Sequence, residues 1–130
     1  MKKLALILFL LPFIATQVWA QTTDTKKQEF EMKTYYLVFL KRGLNRSQDS
    51  AIAANLQDQH LKHLGKMFED KKMCIAGPLL DNSEIRGICV YYTETLDEAK
   101  KLAEDDPAVK AGRLQVEVHP WYSAKGYSLP

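Results

Sequence analysis

The chain has 130 residues, with 18 basic and 16 acidic side chains, a length that suits one domain with a modest core. Lys2 and Lys3 lie in an N-terminal segment expected to fall outside the fold, and without them the balance is 16 to 16. No basic stripe remains, which excludes nucleic acid as the expected partner.

Lys2 and Lys3 form a short basic region, and residues 4–15 are almost wholly apolar. Val18-Trp19-Ala20 then sets small residues three and one before a cut after Ala20. This is the pattern of a secretory signal peptide, residues 1–20. The alternative is an uncleaved membrane anchor, but the apolar run is shorter than the roughly 20 residues of a spanning helix. No Cys follows the run, which counts against a lipid anchor. The mature chain is expected outside the cytoplasm, periplasmic or secreted, with no membrane attachment after cleavage.

Residues 21–32 are polar and aperiodic and read as a disordered leader, so the folded domain is expected over 33–130. Residues 34–40 are β-branched, aromatic and nearly continuously apolar, a strand covered on both faces. Gly43, Asn45 and Ser47 are turn and cap residues. A long helix follows over 48–71. At about 100° per residue, Ala53, Leu56, Leu64 and Met67 share its apolar stripe, with Ile52, His63 and Phe68 at the margins. His60 stands at the centre of that stripe.

Residues 73–76 read as a short buried strand stopped by Gly77-Pro78, and Asp81-Asn82-Ser83 is turn chemistry. Residues 87–92 (GICVYY) are a third strand. Thr95 and Glu98 make a capping box for a second helix, whose buried face carries Leu96, Ala99, Leu102 and Ala103. Asp106-Pro107 ends it. Leu114, Val116 and Val118 alternate with Gln115, Glu117 and His119, a half-buried last strand.

The order β-α-β-β-α-β predicts an α+β, ferredoxin-like fold, an antiparallel four-stranded sheet with two helices on one face. The first and third strands are too apolar to leave the other face in water. Two such sheets packed face to face in a symmetric homodimer, a dimeric α+β barrel, would cover it.

Certain segments, in order, carry a resemblance. They are Tyr36-Leu37-Val38-Phe39-Leu40 with Arg42-Gly43, His60-Leu61 with His63-Leu64, Ala76-Gly77-Pro78, and Arg86-Gly87. Leu96 to Ala99, Asp106-Pro107 with Ala111-Gly112, and Val118-His119-Pro120-Trp121 complete the series. The set resembles the YciI-like (YCII-related) family of small dimeric α+β barrel proteins. The resemblance implies a ferredoxin-like protomer, a homodimer, and a pocket with a His and an Asp in acid–base chemistry, which map to His60 and Asp106. One branch of that family removes chloride from a chlorinated hydroxyquinol, and most members have no assigned substrate. A signal peptide departs from the family's usual pattern and counts against a role in cytoplasmic aromatic degradation.

A polar ring in an apolar stripe costs a few kcal/mol unless it is bonded. His60 is therefore expected to bond a buried partner or to face a cavity. A carboxylate on its far nitrogen would fix the tautomer and stabilise the imidazolium. His60 and Asp106 are the expected catalytic pair. The alternatives are a pair that only joins two helices, or an Asp106 taken up by the N–H groups of its own turn.

His63, one helical turn on, is expected at the pocket mouth or in solvent. Two His at that spacing, with no matching Cys or carboxylate, make no metal site. Arg42, Arg46 and Arg86 flank strand ends, where a guanidinium would match an acidic substrate bidentately. Gly77 and Pro78 would shape the pocket wall with their backbone.

Cys74 and Cys89 would face each other across a hairpin centred between Asp81 and Asn82. They would form either a strained cross-strand disulfide or, the favoured reading, two small apolar core residues. Tyr35, Tyr36, Tyr91, Tyr92 and Trp121 are expected in the core and the dimer contact, Trp121 with the option of covering a pocket edge. No Walker A, G-x-G-x-x-G or G-x-S-x-G pattern occurs, so no cofactor and no serine hydrolysis are expected. The expected function is small-molecule binding, with two forms. One is a cofactor-free lyase or isomerase using His60 and Asp106 on a small cyclic or aromatic hydroxylated compound. The other is a non-catalytic dimeric binding module.

Overall fold

The computed structural model describes residues 29–130. The expected signal peptide and residues 21–28 of the expected leader lie outside the described residues. Strand β1 spans Met32–Arg42, helix α1 Ser50–Glu69, β2 Met73–Pro78 and β3 Ile85–Tyr91. They are followed by α2 Leu96–Glu104, a single-turn α3 Pro107–Lys110, and β4 Leu114–Ala124. The sheet order is β2-β3-β1-β4, with every neighbouring pair antiparallel. This is the ferredoxin-like α+β arrangement, with one short helix more than the sequence predicts.

Alternation along β1 sends Tyr36, Val38 and Leu40 to one face. There they pack with Cys89 and Tyr91 of β3, Met67 of α1, and Ala99 and Ala103 of α2. Both long helices thus cover the same face. By register, the opposite face carries Tyr35, Leu37 and Phe39, with Ile75, Ile88, Val90 and Trp121 beside them. Tyr35 packs between the rings of Tyr92 and Trp121, at centroid distances of 5.8 and 6.1 Å. Trp121 remains 43 % exposed.

Local chemistry moves several boundaries. Asp49 caps α1 by accepting from the Ile52 N–H at 2.8 Å, so the helix starts after it. Thr95 caps α2 by accepting from the Glu98 N–H at 3.2 Å. The Glu98 carboxylate reaches the Glu94 N–H instead of the Thr95 N–H, and pairs with Lys72 at 2.7 Å. The capping box is therefore half of the expected one. Strand β4 continues through Pro120 because it is an edge strand, where a missing N–H is tolerated. Met32, the last residue of the expected leader, already pairs with Ala124, and the Lys125 N–H donates to the Glu31 carbonyl at 2.8 Å.

The β2–β3 register also differs. Ala76, not Cys74, lies opposite Cys89, and the ladder shifts between Met73 and Ile75. The extra residue at that irregularity turns Cys74 out of the core. Cys74 is exposed, Cys89 is buried, and both are free thiols. The core assignment of Cys74 is corrected accordingly, and that of Cys89 stands.

Candidate functional site

Asp106 is held first by its own turn. It is the N-cap of α3, and its Oδ1 accepts from the Ala108 N–H at 2.8 Å. Pro107 fills the first helical position, where no N–H is required. The Asp106 carbonyl accepts from the Val109 and Lys110 N–H groups at 3.0 and 2.9 Å. The second carboxylate oxygen, Oδ2, accepts from His60 Nδ1 at 2.5 Å. Each oxygen has its own task, one capping the turn and one holding the imidazole. The side chains are 10 % and 3 % exposed for His60 and Asp106.

An ionised carboxylate only accepts, so the shared proton belongs on His60 Nδ1. In the neutral ring, Nε2 then carries a lone pair. Nε2 has no hydrogen-bond partner among the described residues, and no buried side-chain nitrogen or oxygen there lacks one. Nε2 therefore opens on the adjacent hollow. That cavity has a volume of about 650 Å³. Its walls are α1 around Gln57, His60 and Leu64, the end of β2 at Gly77 and Pro78, and Arg86, Gly87 and Cys89 of β3. Arg46 and Arg113 close a further side.

Burial behind the cavity wall keeps two side chains neutral. Burial, and then the negative charge of Asp106, pushes the Cys89 thiol up to about 12. Burial, then Cys89 and Asp106, raises the Tyr91 hydroxyl as well. Cys89 is thus a protonated thiol in the wall and no nucleophile.

Arg46 and Arg113 meet because two loops dock closely. The Gly43 N–H donates to the Arg113 carbonyl at 2.9 Å, and the Asn45 N–H to the Gly112 carbonyl at 3.0 Å. A Cβ on Gly43 would stand 2.1 Å from the Gly112 oxygen, so only glycine permits the approach. Arg46 Nη1 then donates to the Arg113 carbonyl, and Arg113 Nη1 to Gln48 Oε1, both at 3.2 Å.

Among the expected site residues, His60, Arg86, Gly77 and Pro78 line the cavity, and Asp106 stands directly behind His60. His63 and Arg42 do not line it. His63 Nε2–H donates to the Leu102 carbonyl at 2.9 Å and ties α1 to α2. Arg42 is exposed at the end of β1, with its backbone N–H on the Glu84 carbonyl at 2.8 Å. Gln57 and Arg113 were not foreseen. Gln57 lies three residues before His60, on the same helical face, which is a readable spacing. Arg113 carries no such signal, since its place depends on the loop docking. Among the described residues, no group of three or more His, Cys, Asp or Glu side chains is placed to hold a metal.

Residues 35–122, more than half of the chain, match the YCII-related domain family. A solved structure with a similar fold is the 5-chloro-2-hydroxyhydroquinone dehydrochlorinase of Burkholderia phenoliruptrix AC1100 in complex with 2,5-dihydroxybenzoquinone. It has a TM-score of 0.52 and 22 % sequence identity, over 67 % of this chain and 92 % of that one. No curated protein matches the sequence.

Proposed function

The chain belongs to the YCII-related family, and from that premise we propose that its cavity binds a small cyclic or aromatic hydroxylated compound on which His60 acts as general base or acid. The proposal rests on one observation: Asp106 fixes one nitrogen of His60 while the other opens on the cavity. Nε2 accepts a proton from a hydroxyl or an acidic C–H of the ligand. The imidazolium so formed is stabilised by the Asp106 carboxylate, and returns the proton to a leaving group or a neighbouring carbon. That is lyase or isomerase chemistry without a cofactor. The structural neighbour is named for dehydrochlorination of a hydroxyhydroquinone and was solved with 2,5-dihydroxybenzoquinone, which supports a hydroxylated ring as the ligand class.

The N-terminal signal pattern supports a location outside the cytoplasm. The apolar sheet face around the half-buried Leu37, Phe39 and Ile88 supports a homodimer.

A non-catalytic binding module has one observation in its favour. The same pair joins α1 to α3, which is the service of a purely structural contact. Binding of 2,5-dihydroxybenzoquinone to the purified protein, followed by calorimetry, tests the cavity. Exchange of solvent deuterium into the bound ring, followed by NMR, separates the two functions. Exchange that disappears in His60→Gln while binding persists supports proton transfer. Binding without exchange in the unaltered protein supports the module, and no binding at all overturns both.

A further inference from the structure

The fold treats lysine and arginine differently. Eight lysines pair with carboxylates at 2.7–3.8 Å. The chain's four arginines, Arg42, Arg46, Arg86 and Arg113, have no carboxylate partner among the described residues. Three of them, Arg46, Arg86 and Arg113, wall the same cavity as His60. Their guanidinium bonds go to neutral acceptors: the Arg113 carbonyl, the Ser83 carbonyl and Gln48 Oε1. A guanidinium has five N–H donors, so most of each fork stays free.

Among the described residues no Asp or Glu lines the cavity, and Asp106 stands behind His60 with both oxygens taken. Like charges gathered in this way repel. Arg46 registers the effect: desolvation, followed by the positive charges of Arg113, Arg42 and Arg86, lowers its pKa from the ordinary arginine value. The Gly43 docking nevertheless forces the arginine-bearing loops together. Among the described residues no carboxylate answers these charges, which leaves a place for an anionic ligand.

We propose that the cavity is built for an organic anion, a ring compound carrying a carboxylate that Arg46, Arg86 and Arg113 receive while its hydroxylated part meets His60. The hydroxylated ring rests on the function proposed above, and the negative charge is the addition. A carboxylate is planar and matches the guanidinium fork. A hollow of about 650 Å³ has room for a ring acid. The same positive wall stabilises the oxyanion left when a hydroxyl proton passes to His60 Nε2 and its electron pair stays on oxygen.

Three probes separate the elements: 2,5-dihydroxybenzoate, its neutral amide 2,5-dihydroxybenzamide, and benzoate. Dissociation constants are measured by calorimetry at two salt concentrations, for the unaltered protein and for the double variant Arg46→Gln with Arg113→Gln. The dihydroxybenzoate is expected to bind about tenfold or more tighter than the amide, since a hydrogen bond to a charged group is worth more than one to a neutral group. That preference is expected to shrink with salt and to fall at least several-fold in the double variant, which keeps Arg86. Equal affinity for the acid and the amide overturns the anion and leaves the hydroxylated ring standing. Arginine-dependent binding of benzoate, with none of the amide, supports the anion and removes the hydroxylated ring. Failure of all three probes to bind overturns both. Should the double variant fail to fold, the salt dependence of the acid relative to the amide in the unaltered protein decides.

Discussion

Replacing Asp106 by Asn is the sharpest probe of the site, because it changes one charge and almost no shape. Asn is as good an N-cap as Asp, so its carbonyl oxygen keeps the Ala108 N–H, now at 2.8 Å, and α3 stays in place. The amide must then turn its NH₂ towards His60. An NH₂ only donates, so His60 Nδ1 must give up its proton, and the proton moves to Nε2. The nitrogen at the cavity changes from acceptor to donor. A charge-assisted bond contributes about 1.5–3 kcal/mol and a neutral one about 0.5–1.5, so the folded state should lose about 1–2 kcal/mol. For a domain of this size that is a fall of roughly 5–10 °C in Tm. Asp106→Ala is a different perturbation. It removes the cap and strands two buried N–H groups, and should lose about 3–5 kcal/mol. The imidazole ¹⁵N shifts read the tautomer and thermal unfolding reads the stability. If the Asn variant keeps the proton on Nδ1, or melts no earlier than the unaltered protein, the account of this pair is wrong.

Three further outcomes follow from the geometry. Gly43→Ala pushes a methyl group against the Gly112 carbonyl, at 2.1 Å in the present backbone, and should lower the urea midpoint by the equivalent of about 1–3 kcal/mol as the loops part; an unchanged midpoint would show that the loops yield freely. Cys74, exposed at the β2 irregularity, should alkylate with iodoacetamide at mildly alkaline pH, whereas buried Cys89, its thiol pushed up to about 12, should not, and peptide mass spectrometry reports both sites. The same burial makes stability fall in alkali. Between the ordinary thiol value of 9.0 and about 12, the unfolded chain releases the Cys89 proton and the folded chain keeps it, so this group destabilises the fold by about 1.4 kcal/mol for each unit of pH. Cys89→Ala should flatten that slope, and an equally steep decline in the variant would assign it elsewhere.

Much of this architecture is local and so was readable. The alternation in β1, the stripe of α1 and the Thr95 cap each follow from a few adjacent residues. The His60–Asp106 contact was accessible for the same reason, since a polar ring amid carbon needs a partner and the Asp-Pro turn lies beside α1 in this topology. What escaped depends on contacts distant in sequence. The outward turn of Cys74 comes from a register shift that no local pattern marks. Strand β4 runs past Pro120 because it lies at the sheet edge, a fact of strand order. His63 looked like a cavity residue by spacing, but the Leu102 carbonyl at the neighbouring helix captures it. Arg113 joins the cavity only because Gly43 lets two loops touch.

His60 and the unpaired arginines each break a rule that the rest of the chain obeys, and they border one hollow. Local violations that converge in space mark function more strongly than either does alone. The rival account, that His60 and Asp106 merely join two helices, makes a different claim about energy. Buried polar pairs can often be exchanged for apolar residues of similar volume with little loss of stability, whereas removal of one partner leaves an uncompensated charge. His60→Leu should therefore lose about 3 kcal/mol or more, because Asp106, 2 % exposed, would lose the partner of its Oδ2 and have only the Ala108 N–H left. Joined to Asp106→Asn, the leucine no longer faces a buried charge and the capping oxygen survives, so the double variant should be more stable than His60→Leu alone, while the amide NH₂ left facing the leucine keeps it about 1–3 kcal/mol below the unaltered protein. Recovered stability together with lost deuterium exchange would mean that the pair is retained for chemistry. If the double variant is as unstable as the single one, the pair is needed by the fold itself, and the case for catalysis loses its main support.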